Sequence, residues 1–452
     1  MRVLDACKKA VKYAEQLGVD ECEAFASYYK VTNIEIEKMH IKSAYTRSIG
    51  GIGVRVVKDR KVGFSYTNTV HMRNIKKAVE DALSIANTRK PDERWRNLPS
   101  PERYPVVRKL YDKGVKSLES DRLVEMALEM IDTAKDVNKK VASMSGSVVA
   151  GYSVKAIVNS QGIECIDRGT VIGGGLYVIS RDGGDVGVGY DFDVKRTLRE
   201  FDHIEPSKSA SEISMKHLGK RKIEGGKMTI VLHPFAVADL LSNIFAPEIQ
   251  GDRAYKKQTP YADRIGEKVA SGKLTIIDDG TYSGGYASAK FDAEGVPTKR
   301  TVIISRGRLM NFIYNSYWAN VVGKESTGNA VRKTALGNDY SVEPTVGISN
   351  LIVKPSKYSL DEMISDIKNG LYCITLLGSH TANPETGTFS VVAYVAFKIE
   401  NGEIAYPVKQ AMIAGKLPEL LLKNVDVVGS EVRMVYNVIT PHISFRNVTV
   451  SC

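Results

Sequence analysis

The chain of 452 residues is poor in cysteine: Cys7, Cys22, Cys165, Cys373 and Cys452 are its five, and no Cys-x-x-Cys pair occurs. An odd number in a chain long enough to build its own core excludes a disulfide scaffold and points to reduced thiols. Long apolar runs are missing too, and nothing approaches the roughly 18 uninterrupted residues that suggest a membrane span. Charges at Arg2, Asp5, Lys8 and Lys9 break up the stretch where the apolar part of a signal peptide would lie. The expected location is therefore the cytoplasm, with no membrane contact. Histidine is scarce as well, with seven, and none pair at the helical spacing of metal ligands.

The net charge is +11, but Lys and Arg are interspersed with Asp and Glu instead of forming the stripe that a groove or backbone reader needs. A nucleic-acid role is disfavoured on that ground. The 43% hydrophobic and 25% charged residues are ordinary for a globular chain. Its length exceeds one usual core of about 100 to 200 residues, so two large domains are expected.

Val3, Leu4, Cys7, Val11, Ala14 and Leu17 recur at helical spacing, and Gly18 is placed to end that helix. From Glu23 to Thr67 the pattern alternates as strands do, with a turn at Lys58-Asp59-Arg60-Lys61. Helical stripes return over 75–86 and 119–137, and strands are expected at 141–150, 152–159, 163–168 and 171–180. The glycines between 173 and 189 lack the Gly-Lys-Ser/Thr context of a phosphate loop, and turns or bulges explain them better.

The second half offers short strands at 228–232, 273–277, 300–305, 309–313, 348–353, 371–377, 388–400, 404–410 and 434–439, with helices near 235–245, 316–322 and 359–369. The fold class is α+β. An N-terminal α+β domain, 1–221, is expected in two sub-parts of about 1–88 and 106–221 joined by the Pro- and charge-rich linker 89–105. A mostly β C-terminal domain with a few helices follows over 222–452.

Several stretches in that second half carry a likeness. They are Phe291-Asp292-Ala293-Glu294-Gly295-Val296-Pro297-Thr298, Asn315-Ser316-Tyr317, Ser326-Thr327-Gly328-Asn329-Ala330, Thr386-Gly387-Thr388-Phe389-Ser390, the run from Glu400 to Val408, and Ala414-Gly415-Lys416-Leu417. Together, and in this order, they resemble the TldD/PmbA family, also known as the modulator of DNA gyrase family. The N-terminal half agrees more loosely, through Gly50-Gly51-Ile52-Gly53 and Asn159-Ser160-Gln161-Gly162.

The resemblance implies two branches. In the TldD branch an H-E-x-x-x-H helix holds zinc, its glutamate activates water and a later cysteine completes the ligands; the TldE/PmbA branch lacks that set. Here the matching region begins at His233, followed by Pro234 where the glutamate would stand, and no cysteine occurs in the loop expected after Val425. Zinc needs about three protein ligands and an open position to bring bound water near pKa 7. A ligand set gathered from distant residues, such as His233, His380 and Cys373, is the alternative.

The resemblance therefore implies a TldE/PmbA-like subunit of a TldD/TldE-type metalloprotease complex that degrades or processes unfolded peptides. No catalytic or metal residue, and no cofactor, is expected on this chain. The zinc is expected in the TldD-type partner of a heterodimer, and whether the chain pairs with itself when alone is left open. Ser379, His380, Phe389 and Ser390 are the candidates for lining a peptide channel, with ordinary sheet residues as the competing interpretation. Two other functions stay in view. One is a peptidase acting alone, for instance through Ser390, which lacks a Gly-x-Ser-x-Gly setting. The other is a regulator of a topoisomerase or of nucleic acid. Asp292 and Glu294, two apart, could serve acid–base chemistry, but their setting favours a structural turn.

Overall fold

A computed structural model describes residues 3–334 and 339–452. Alternating side chains lay down β1 (Glu21–Glu37), β2 (His40–Lys58) and β3 (Lys61–Thr67) as a meander. Asp59 and Arg60, at φ 51° and 59°, supply the left-handed pair that closes the tight β2–β3 hairpin. Helices α1 (Val3–Gln16) and α2 (Met72–Thr88) pack against this meander. Ala6, Cys7 and Ala10 of α1 and Ile75, Val79 and Ala82 of α2 meet Cys22, Ala24, Ile52 and Val54 in one core.

After the short α3 (Lys113–Lys116) come α4 (Ser120–Val137), β4 (Val141–Asn159), β5 (Glu164–Asp182), β6 (Asp185–Lys195) and α5 (Ile204–Lys216). The four strands expected over 141–180 are thus two long ones. Gly183 does sit in the β5–β6 turn, at φ 57°. Gly187 and Gly189, by contrast, lie within β6, where an added Cβ would come 2.0 Å from the Ser214 carbonyl and 2.1 Å from that of Ala210. Their lack of a side chain lets α5 lie directly on the sheet.

The six strands form one antiparallel sheet in the order β3-β2-β1-β4-β5-β6. β1 pairs β4 from Glu23↔Asn159 to Glu37↔Ser145, so both sub-parts share a single sheet. The connector 89–105 has no regular element, yet it is fastened to the sheet. One Glu21 carboxylate accepts from the Trp95 indole and from the Leu98 amide, each at 2.8 Å.

The C-terminal half contributes β7 (Gly226–Leu232), β8 (Ile276–Asp279), β9 (Arg300–Ser305), β10 (Arg308–Leu309), β11 (Ala330–Val331), β12 (Thr345–Val346) and β13 (Leu351–Val353). β14 (Asn369–Leu377), β15 (Thr388–Glu400), β16 (Glu403–Pro407), β17 (Ala411–Lys416), β18 (Val425–Val435) and β19 (Val438–Ser451) complete it. Its main sheet runs β10-β9-β8-β13-β19-β17-β15-β14-β7, and β7 pairs back onto β19, which closes a five-stranded ring. The domain is mostly β with a few helices, within an α+β chain.

Three expectations change here: the strand expected at 309–313 is reduced to its first residue, Leu309, at the end of β10. The strand expected at 434–439 is the turn of the β18–β19 hairpin, where Tyr436 has φ 52°. The loop expected after Val425 is strand β18.

The two halves are joined by buried charge. Glu23 of β1 accepts from Arg55 of β2 at 2.8 Å and from Arg332 at 2.5 Å, and Arg55 reaches on to Glu294 at 3.2 Å. Glu294 also accepts from the Ser316 amide and hydroxyl, at 2.8 and 2.6 Å. Its neighbour Asp292 accepts from the amides of Glu294, Val296 and Ala330. Burial, with the Glu294 charge beside it, pushes Asp292 up to about 8. The acidic pair is a turn and a domain joint, with its oxygens already engaged by the protein.

Candidate functional site

β7 runs directly into α6 (Pro234–Leu240) through His233. Pro234 fits the first helical position, where no amide is needed, and His233 caps the helix by accepting the Phe235 amide on Nδ1 at 3.1 Å. The His233 amide donates to the Cys373 carbonyl at 2.9 Å. Helical backbone continues beyond α6 as a π turn over Leu241–Phe245 and a last turn over Ala246–Glu248. Every residue of α6 except Asp239 is buried.

The His233 ring packs among aromatics, with its centroid 4.7 Å from that of Phe235, 6.5 Å from Tyr372 and 5.1 Å from His442. His442 Nε2 stands 3.3 Å from the Tyr372 hydroxyl. Arg433 covers Phe235 at 4.6 Å while holding Asp191 of β6, which ties this cluster to the N-terminal sheet. Burial, the neighbouring imidazole and Arg433 drive His233 well below the usual histidine range. Burial and Arg433 bring His442 down to about 4. Both imidazoles are therefore neutral packing groups at pH 7.

This arrangement does not fit a zinc centre of the H-E-x-x-x-H kind. One ring nitrogen of His233 is taken by the cap, Pro234 holds the glutamate position, and the position five after His233 is the buried Ala238. Cys373 is buried in β14 with its thiol pushed up by desolvation, far from the thiolate that a metal requires. His380 is exposed in a separate turn, and it does not join His233 and Cys373 in a ligand set. Among the described residues no group of three or more His, Cys, Asp or Glu side chains could hold a metal ion. The pairing of His233 with His442 had no signal in the sequence, since it follows from β7 lying beside β19 in the register Leu232↔Ile443.

Two of the channel candidates, Ser379 and His380, meet Asp239 near the C-terminal end of α6. Ser379 opens a short turn after Gly378. It is buried, and its hydroxyl donates to Asp239 at 2.5 Å, while Asn243 holds the other Asp239 oxygen at 3.0 Å. Burial raises Asp239, opposed by these bonds and by the nearby His380. His380 and Ser390 face solvent, and Phe389 points the other way, into the core. Phe389 and Ser390 border an open depression of about 430 Å³, together with Thr381, Asn383 and Thr388.

From Phe389 to Val391, β15 is paired with β17 on one side, while its pairing with β14 begins only at Val392. On that side the connection between β14 and β15 folds back on the strand, its Asn383 amide donating to the Thr388 carbonyl at 2.9 Å. Just behind it Glu248 is fully buried, its two carboxylate oxygens have no hydrogen-bond partner, and desolvation pushes it well above the carboxylate range. Sequence reasoning did not single out Glu248, because nothing local marks an unpaired buried acid.

The likeness carried by the motifs extends to the whole chain. Residues 22–86, 113–221 and 225–452 match, in order, PmbA/TldA metallopeptidase domain 1, the central domain and the C-terminal domain. An uncharacterized protein of Methanocaldococcus jannaschii is 30% identical over 439 residues, which cover 97% of this chain and 98% of the relative. The metalloprotease PmbA of Escherichia coli O157:H7 is 25% identical over 447 residues, 95% of this chain and 93% of that one. The crystal structure of TldE from Thermococcus kodakarensis superposes with a TM-score of 0.90 at 30% identity, covering 99% of this chain and 100% of that one. With all three domains matched in order along one chain, this protein belongs to the PmbA/TldD metallopeptidase family.

Proposed function

We propose that the chain is the TldE/PmbA-like subunit of a cytoplasmic TldD/TldE-type zinc metalloprotease complex that degrades or processes unfolded peptides, non-catalytic by itself, with the zinc held by a TldD-type partner. The observation that carries this reading is the state of His233: a capped, desolvated, neutral ring enclosed by Phe235, Tyr372 and His442. A ligand to catalytic zinc would need companions on the same helix face, and Pro234 and Ala238 stand at those places.

The role left to this chain is to hold peptide. An extended peptide gains affinity from main-chain hydrogen bonds to an open strand edge, with little side-chain selectivity. The depression bordered by Thr388, Phe389 and the exposed Ser390 supports that role.

The test is cleavage of an unfolded peptide by the purified chain, by a TldD-type subunit of the same cell, and by the two mixed, each with and without a chelator. Cleavage in the mixture only, lost with chelator, is the expected result. Chelator-sensitive cleavage by this chain alone would overturn the reading.

A further inference from the structure

The N-terminal sheet is not covered along the whole of its second strand. β2 pairs β1 over nearly its full length, but β3 covers its other side only from Ile52 to Lys58. Every residue from Ala44 to Ser48 is exposed, and since side chains alternate along a strand, both of its faces are open there. The Tyr340 ring, set against Gly51, ends the open stretch.

The hairpin between β2 and β3 decides which backbone groups face outward. Asp59 and Arg60 form a two-residue turn, so Lys58 and Lys61 exchange their main-chain hydrogen bonds. Even-numbered residues of β2 therefore turn amide and carbonyl toward β3, and odd-numbered ones toward β1. The Val57 carbonyl follows this rule, accepting from the Asp20 amide just before β1 at 2.9 Å. The register with β1 is unbroken from Ser43 to Val57. Ala44, Thr46 and Ser48 thus present amide and carbonyl to solvent, with no main-chain partner among the described residues.

The side chains beside this edge are cationic. Lys42 is neutralised by Glu35 and Glu37, at 3.1 Å each. Lys30 of β1 stands opposite Ser48, next to the Val31↔Arg47 pair, and among the described residues neither Lys30 nor Arg47 makes an ion pair. Tyr45, half-exposed on the same face as Arg47, adds an apolar surface. A second copy of the chain is a poor occupant, because edge-to-edge pairing would bring two Arg47 and two Lys30 side chains to one ladder whose acids are already held. A charged edge of this kind deters neutral strands and attracts acidic ones.

We propose that β2 takes an extended acidic segment of another polypeptide as an added strand along Ala44–Ser48. Main-chain hydrogen bonds to Ala44, Thr46 and Ser48 supply affinity, and carboxylates alternating with β-branched side chains answer Arg47, Lys30 and Tyr45. The inference is independent of the protease reading, since it rests on the N-terminal sheet alone.

The experiment is calorimetric titration of the full chain with two capped heptapeptides, Glu-Thr-Val-Glu-Val-Thr-Glu and its counterpart with lysine in place of glutamate, joined to amide hydrogen exchange with and without the first. The acidic peptide should bind at least tenfold more tightly than the basic one and should slow exchange at Ala44, Thr46 and Ser48. Arg47→Glu should weaken binding at least tenfold, whereas Arg47→Lys should retain it. Ala44→Pro removes an outward amide and spares the β1 ladder, and it should weaken binding to a similar extent. No binding of the acidic peptide, equal binding of both, protection confined to other segments, or unchanged affinity in folded Ala44→Pro and Arg47→Glu chains would overturn the proposal. So would a concentration-dependent dimer that alone protects these amides, which would assign the edge to a second copy.

Discussion

Arg55, on the second strand of the N-terminal sheet, places one guanidinium nitrogen 3.2 Å from a carboxylate oxygen of Glu294, in a turn of the C-terminal half. The same nitrogen lies 2.8 Å from Glu23, so one cation holds two acids that are both fully buried. Arg55→Met would leave Glu23 to Arg332 alone and Glu294 with no cation, only the Ser316 amide and hydroxyl. A loss of about 3–5 kcal/mol is expected, as for other buried pairs that lose one partner. Denaturant unfolding followed separately in the two halves would check this, and an unchanged midpoint would show that the joint carries no stability.

Acid should destabilise the chain through buried histidines. His217 and His442 are both lowered from 6.5 to about 4 by burial, each with a nearby cation adding to the effect. Between these limits the unfolded chain binds protons that the folded chain does not. Stability is therefore full above about pH 6.5, falls as pH drops toward 4 and then levels off. Each site should cost about 2 kcal/mol by pH 5. Melting temperatures between pH 7 and 5 test the slope, and His442→Gln should flatten part of it.

Glu248 should act in the opposite sense. Its folded carboxyl stays protonated at a pH where the unfolded one ionises, so the stability it confers at low pH is lost as pH rises above about 4.5. Glu248→Gln removes that titration. The variant should gain stability relative to the parent from pH 5 to 8, by about 1–3 kcal/mol. A stability difference that stays constant from pH 4 to pH 8 would refute the assignment.

Filling the depression bordered by Phe389 and Ser390 should hinder peptide without disturbing the fold. Ser390 is exposed there, and Ser390→Trp should leave the melting temperature within about 1 °C, consistent with the small effect of surface changes. In the mixture with a TldD-type subunit it should raise KM severalfold more than it changes kcat. Equal kinetics of variant and parent would remove this depression from the peptide path.

Much of the fold could be read from the sequence because period and turn chemistry are local. The helices over 75–86 and 119–137 and the Asp59-Arg60 turn announce themselves through neighbours a few residues apart. β6 escaped because Gly187 and Gly189, which serve its contact with α5, dilute the strand signal. The β18–β19 hairpin was hidden for another reason: an apolar run flanks its turn, and Tyr436 gives no hint of a left-handed conformation. In the site, Pro234 after His233 was readable as a break in the metal motif. The His233–His442 contact and the unpaired Glu248 depend on sheet register and on packing between distant segments, which no short window contains.

The ring in the C-terminal half sets an order of events. Its first strand, β7, must wait for β19, roughly two hundred residues further along, before its second edge is covered. During synthesis that edge is exposed for as long as the intervening chain takes to emerge, whereas the N-terminal sheet has all of its strands much earlier. The N-terminal half can thus be finished while the C-terminal half still shows an unpaired, strongly apolar strand. That interval, more than any weakness of the finished structure, is when the protein is most exposed to misassociation.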